Sequence, residues 1–123
     1  MTARTIRILI VDDDPADAEI IQELLEECAT VVEIHAVHDG IDALDYLHSC
    51  THEPVVGLPD LILLDLNMPR KDGREVLQEI RATEQLLHLP VIILTTSQEE
   101  DEIEQAYRLG ANCYVSKPAA MAD

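Results

Sequence analysis

Tryptophan and phenylalanine are absent from this chain, and Tyr46, Tyr107 and Tyr114 are its only aromatic residues. A base-stacking platform for single-stranded nucleic acid is therefore excluded. Basic residues are scarce: eight Lys and Arg face 25 Asp and Glu, for a formal net charge of −17. Nucleic acid and anionic membranes both require a basic surface, so neither is an expected partner. Cys28, Cys50 and Cys113 are odd in number and make no CxxC pair. They read as small core residues of a reducing compartment, not as a disulfide frame. His35, His38, His48, His52 and His88 offer no HExxH motif, and surface or edge positions are expected in place of a zinc site. No long apolar run exists either. The apolar stretch near the N-terminus is interrupted by Arg7 and ends on three aspartates, which is neither a signal peptide nor a membrane span. A cytoplasmic protein is expected.

What the chain does have is hydrophobic residues in short, regularly spaced groups. At 123 residues and 47% hydrophobic content it is long enough to bury a core as one domain. Ile6–Val11, Val31–Val37, Leu61–Asp65, Val91–Thr95 and Asn112–Ser116 read as strands. Between them lie amphipathic stretches. Asp14-Pro15 looks like a helix cap followed by proline at the first helical position, with Ile21, Leu24, Leu25 and Cys28 on one face. Asp39-Gly40 opens a second helix with Ile41, Leu44 and Leu47 inward, and Cys50–Pro59 reads as a long surface loop. Asn67–Gly73 is a turn before a third helix that buries Val76, Leu77 and Ile80. The fourth helix is marked by Ile103, Ala106 and Tyr107, with Gly110 as its C-terminal stop. Its opening segment, Gln98–Glu104, holds five carboxylates, read as a solvated first turn that favours the helix dipole. Strand–helix alternation of this kind predicts an α/β fold, a doubly wound parallel sheet with right-handed crossovers.

Two of the apolar runs end on aspartate: Ile8–Val11 on Asp12-Asp13-Asp14, and Leu61–Leu64 on Asp65. Continuous aliphatic runs are the pattern of central, doubly buried strands, and open α/β sheets place their ligands at the carboxyl ends of such strands. Thr95-Thr96 and Lys117-Pro118 follow the fourth and fifth strands and fall at the same edge. Carboxylates gathered there repel one another unless a divalent cation or a proton relieves them. Carboxylates, a hydroxyl, an ammonium and room for a hard cation together suit phosphoryl transfer, which works by positioning and charge neutralisation.

In these motifs, ILIVDD (Ile8–Asp13), LILLDLNMPRKDG (Leu61–Gly73), VIILTTS (Val91–Ser97) and YVSKP (Tyr114–Pro118), the chain resembles the receiver domains of bacterial two-component response regulators. MPRKDGREVL and the YVSKP region are most similar to the small stand-alone regulators that partner phytochrome-type histidine kinases. The resemblance spans essentially the whole chain to Pro118. It implies a flavodoxin-like five-stranded sheet of order 2-1-3-4-5, and residues 1–123 as a single receiver domain with no output domain.

The resemblance further implies that Asp65 accepts a phosphoryl group from a phosphohistidine. Asp13 would ligate Mg²⁺ directly and Asp12 through a water, with the Asp65 carboxylate and the Asn67 carbonyl completing the protein ligands. Asp14 is set aside as the helix cap. The Asn67 side chain would border the attacking water. Thr95 would bond a phosphoryl oxygen, Lys117 would pair with another, and Tyr114 would turn inward as the switch aromatic when Thr95 moves. Such a protein is a signalling receiver that catalyses only its own phosphorylation and dephosphorylation. Its partners would be a sensor histidine kinase, phytochrome-type by the resemblance, and a downstream protein of unknown identity.

Two departures stand out. The fifth helix of the family is largely missing, which would expose aliphatic side chains of the fourth and fifth strands worth roughly 1.5–3 kcal/mol each when buried. Lower stability, an exchanged element or a homodimer through the patch would follow. Thr96 stands where the family more often has alanine or serine, and is expected to tighten the entrance to the acyl phosphate. Three other readings compete with this one. A flavin-binding module needs a Ser/Thr/Gly-rich phosphate loop where Asp12-Asp13-Asp14 stands. A phosphatase with an aspartyl nucleophile needs a second acid where Asn67 stands. A phosphorylation-independent receiver-like module is disfavoured by the presence of Asp13, Asp65, Thr95 and Lys117.

Overall fold

A computed structural model of the chain describes residues 5–27, 31–52, 57–68, 70–96 and 98–117. Five strands alternate with four helices: β1 (Thr5–Val11), α1 (Pro15–Glu26), β2 (Val31–Val37), α2 (Gly40–His52), β3 (Leu61–Leu64), α3 (Gly73–Ala82), β4 (Val91–Thr95), α4 (Glu100–Leu109) and β5 (Cys113–Ser116). All strands are parallel in the order β2-β1-β3-β4-β5, as predicted.

Strand alternation divides the core into two layers. Leu9, Val11, Ile62, Leu64 and Ile93 face α2, α3 and α4, meeting Leu47, Leu77, Ile80 and Ala106. Ile8, Ile10 and Leu63 face the other way and meet Ala18 and Ile21 of α1. On that α1 side, Ile92 and Leu94 remain partly exposed and Val115, paired with Leu94, is 43% exposed.

The helix starts follow local chemistry. Asp14 caps α1, its side chain accepting from the backbone N–H groups of Ala16 and Asp17, and Pro15 occupies the first turn. Asp72 and Glu75 form a reciprocal capping box on α3. Gly110 ends α4 at φ 111°, in the left-handed region.

Three expectations are corrected. Ile41 is 39% exposed, because α2 buries Gly40, Ala43, Leu44, Leu47 and Cys50, a stripe from which Ile41 is rotated. Cys50 extends that stripe, so α2 runs on to His52 and the loop predicted from Cys50 begins later. Leu24 is 52% exposed, since α1 contacts the sheet through Ala18 and Ile21 with Leu25 beside them. The fourth helix stands where Ile103, Ala106 and Tyr107 mark it, with Ala106 inward and Tyr107 47% exposed. Cys28, Ser97, Pro118 and residues 119–123, where the largely missing fifth helix of the family would begin, lie outside the described residues.

Candidate functional site

The sheet hydrogen bonds continue one residue past the strands that matter. Asp12 N–H donates to the Val37 carbonyl (3.1 Å), Asp65 N–H to Val11 (2.9 Å) and Lys117 N–H to Thr95 (2.7 Å). These bonds hold the residues just beyond β1, β3 and β5 at fixed heights along one edge. Asp12, Asp65, Thr95 and Lys117 are 2%, 8%, 1% and 7% exposed, whereas Asp13 is open to solvent.

The chemistry is centred on Lys117. Its Nζ lies 2.6 Å from Asp12 Oδ2, 2.9 Å from Asp17 Oδ2 and 3.2 Å from Asp65 Oδ2. Burial alone would pull this ammonium's pKa down. The hydrogen bonds to Asp12 and Asp17 and the charge of Asp65 outweigh that and hold it above the ordinary lysine value. Asp12 moves the opposite way to most paired carboxylates: burial raises its pKa more than the Lys117 and Asp14 hydrogen bonds lower it. The remaining oxygens of both acids are held from behind. Asp14 N–H donates to Asp12 Oδ1 (2.9 Å), and Asn67 N–H donates to Asp65 Oδ1 (3.3 Å).

Each predicted site residue can now be placed. Asp12, Asp13 and Asp65 come together, each offering a carboxylate oxygen within 4.8 Å of the others. An all-oxygen set of this size fits a hard divalent cation such as Mg²⁺ or Mn²⁺. Asn67 is exposed on the loop after β3. Thr95 ends β4, and its Oγ1 is buried with no hydrogen-bond partner among the described residues. Thr96, next along, is exposed. Tyr114 is half-buried on β5 and packs against the core of the α2–α4 face, while its backbone N–H donates to the Tyr107 hydroxyl at 3.0 Å. Asp14 stays a cap, as expected.

The loop carrying Asn67 is packed from both sides. Gly73 admits no side chain, since a Cβ there would come 2.2 Å from the Asp65 carbonyl oxygen. Arg70 takes a left-handed φ of 66° and pairs with Asp39 at the start of α2.

Two participants escaped the sequence reading. Asp17 is 7% exposed and shares Lys117 with Asp12 and Asp65. The available signal was its place beside Ala18 and one turn before Ile21, on the inner stripe of α1. Asp39 is 8% exposed, and nothing local in the sequence points to Arg70 as its partner, 31 residues on.

Comparison with known proteins agrees with this architecture. A family model described as "Response regulator receiver domain" matches residues 8–123. The response regulator Rcp1 of Synechocystis sp. strain PCC 6803 is 41% identical over 116 residues, covering 94% of this chain and 79% of Rcp1. The crystal structure of Mn²⁺-bound Rcp1 superposes with a TM-score of 0.83 at 41% identity, covering 95% of this chain and 84% of that one. The crystal structure of the phosphorylated cyanobacterial phytochrome response regulator RcpA gives 0.87 at 43% identity, covering 97% of this chain and 85% of that one. Among the described residues no helix is long and apolar enough to cross a membrane. With its sheet order, its acidic edge and these matches across nearly its whole length, the chain belongs to the family of response regulator receiver domains.

Proposed function

We propose that this receiver takes a phosphoryl group from the phosphohistidine of a sensor histidine kinase onto Asp65, with Mg²⁺ as the cation. A carboxylate oxygen of Asp65 attacks phosphorus as the P–N bond to the imidazole breaks. The imidazole leaves with that electron pair and takes up a proton. Asp65 suits this role because it is fixed at a rigid strand end, so attack needs little reorganisation. Lys117 supplies a positive charge to the phosphoryl oxygens, and the Thr95 hydroxyl supplies a neutral donor. Asp12, Asp13, Asp65 and the Asn67 carbonyl are the proposed cation ligands. When bound, the cation neutralises the carboxylates and the incoming phosphoryl oxygens.

The single observation that carries this reading is the convergence, at one sheet edge, of Asp65, the Lys117 ammonium and the buried Thr95 hydroxyl, which has no partner among the described residues. A buried hydroxyl without a partner is the mark of a site prepared for one. The Mn²⁺-bound state of Rcp1 and the phosphorylated state of RcpA support the same chemistry by likeness. Thr95 moving toward the phosphoryl group, with Tyr114 following inward, would alter the surface around β4 and β5 and so the contacts with a downstream protein. Likeness to Rcp1 and RcpA favours a phytochrome-type kinase as the donor, and the net charge of −17 favours protein partners over nucleic acid or an anionic membrane.

Incubation with acetyl phosphate and Mg²⁺, read by intact mass, tests the assignment. The parent should gain one phosphoryl group and Asp65→Asn none, while the far-ultraviolet spectra of the two agree. Labelling that survives in Asp65→Asn would overturn the choice of acceptor. A folded parent that takes no label would return the chain to a phosphorylation-independent module.

A further inference from the structure

Asp17 has no part in the roles assigned above, yet it is one of three acids that hold Lys117. It stands on the first turn of α1, 7% exposed, with Oδ2 at 2.9 Å from Lys117 Nζ. An ammonium has three N–H donors, and Asp12, Asp17 and Asp65 take all three. The Lys117 side chain is 2% exposed, so water is a poor substitute for any of them. Two of these acceptors, Asp12 and Asp65, also belong to the trio able to hold a cation, and Asp17 does not. The ammonium and a divalent cation therefore compete for the carboxylates of Asp12 and Asp65, while Asp17 attracts the ammonium alone.

We propose that Asp17 is a positioning residue for the cation: by anchoring Lys117 from α1, it leaves Asp12 and Asp65 free to turn their oxygens to Mg²⁺. The inference rests on the cation role proposed above. Without Asp17, the buried ammonium would place its full charge on Asp12 and Asp65, and Mg²⁺ would have to displace it from both. With Asp17, the ammonium keeps a partner when Asp12 and Asp65 turn away, and stays within reach of the site. The anchor is well built for this: the Asp14 cap and Pro15 set the start of α1, and the packing of Ala18 and Ile21 on the sheet fixes its phase.

Calorimetric titration of the full chain with Mg²⁺ tests the idea, comparing the parent, Asp17→Asn, Lys117→Met and the double variant. Asp17→Ser is run in parallel as a second way to remove the charge. Loss of Asp17 should weaken Mg²⁺ binding by about tenfold. Most of that loss should vanish in the Lys117→Met background, because the competing ammonium is gone. Unchanged affinity in both Asp17 variants would overturn the proposal, even if their melting temperatures fell. An equal loss with and without Lys117 would also overturn it, since Asp17 would then act through its own charge. A parent that binds no Mg²⁺ would instead overturn the cation role, an outcome read from the parent alone.

Discussion

At Thr95 a hydroxyl is buried to 1% exposure and finds no partner among the described residues. Such a group costs about 1–3 kcal/mol relative to a paired one. Lys117, just past the next strand, is the reverse case, with every donor engaged by a carboxylate. Both states suit a site that exchanges partners: the ammonium gives up a carboxylate for a phosphoryl oxygen, and the hydroxyl gains its first partner. Thr95→Val keeps the shape and removes the hydroxyl. It should stabilise the ligand-free protein by about 1 kcal/mol and lower labelling by acetyl phosphate. Urea melts and intact-mass labelling in one buffer check both halves. A less stable Val variant would mean that the hydroxyl has a partner in solution.

Among the elements, the start of α2 and the loop after β3 are joined through Asp39. Its carboxylate accepts from Asp42 N–H at 2.8 Å, capping α2, and receives the Arg70 guanidinium, with Nε at 3.0 Å. The Asp42 N–H first, and Arg70 second, hold the Asp39 pKa below its ordinary value of 3.8. A carboxyl with a lowered folded-state pKa stabilises the fold above its unfolded value and loses that stabilisation as pH falls through the folded one. Asp39→Asn should therefore flatten the decline of stability below about pH 4 and leave a nearly constant deficit above it. Urea midpoints for both proteins across that range decide the point, and parallel acid limbs would refute it. A second junction is made by Arg81 of α3, which donates to the carbonyls of Leu87, Leu89 and Gly110 and to Asn112 Oδ1. Burial lowers its pKa, and its four acceptors tie α3 to the segments entering β4 and β5.

Over the whole molecule, a net charge of −17 meets a pocket in which Asp12, Asp17 and Asp65 surround one lysine and Asp13 stands beside Asp12 and Asp65. A cation that binds only the folded pocket raises stability by mass action, by about 1.4 kcal/mol at ten times its dissociation constant. Millimolar Mg²⁺ should accordingly raise the melting temperature by a few degrees, roughly 3–6 °C for a domain of this size. Scanning calorimetry of the parent beside Asp12→Asn/Asp65→Asn separates site binding from screening. An equal rise in both would assign the effect to the acidic surface as a whole.

How much of this was legible before folding depends on distance along the chain. Buried parallel strands are unbroken aliphatic runs, so the polar residues where each run ends mark the sheet edge. Asp12, Asp65, Thr95 and Lys117 were visible for that reason, as were the α1 cap at Asp14 and the stop at Gly110. The inward faces of α1 and α2 were harder to read, because a rotation of one residue moves Leu24 or Ile41 from core to rim, and only packing against the sheet sets that phase. The sequence by itself determined the order of strands and helices and which residues reach the edge. The tertiary structure alone decided that Asp17 meets Lys117 across 100 residues, and Arg70 meets Asp39 across 31. Those pairings depend on helix phase and strand order acting together, and no local pattern of residues encodes both.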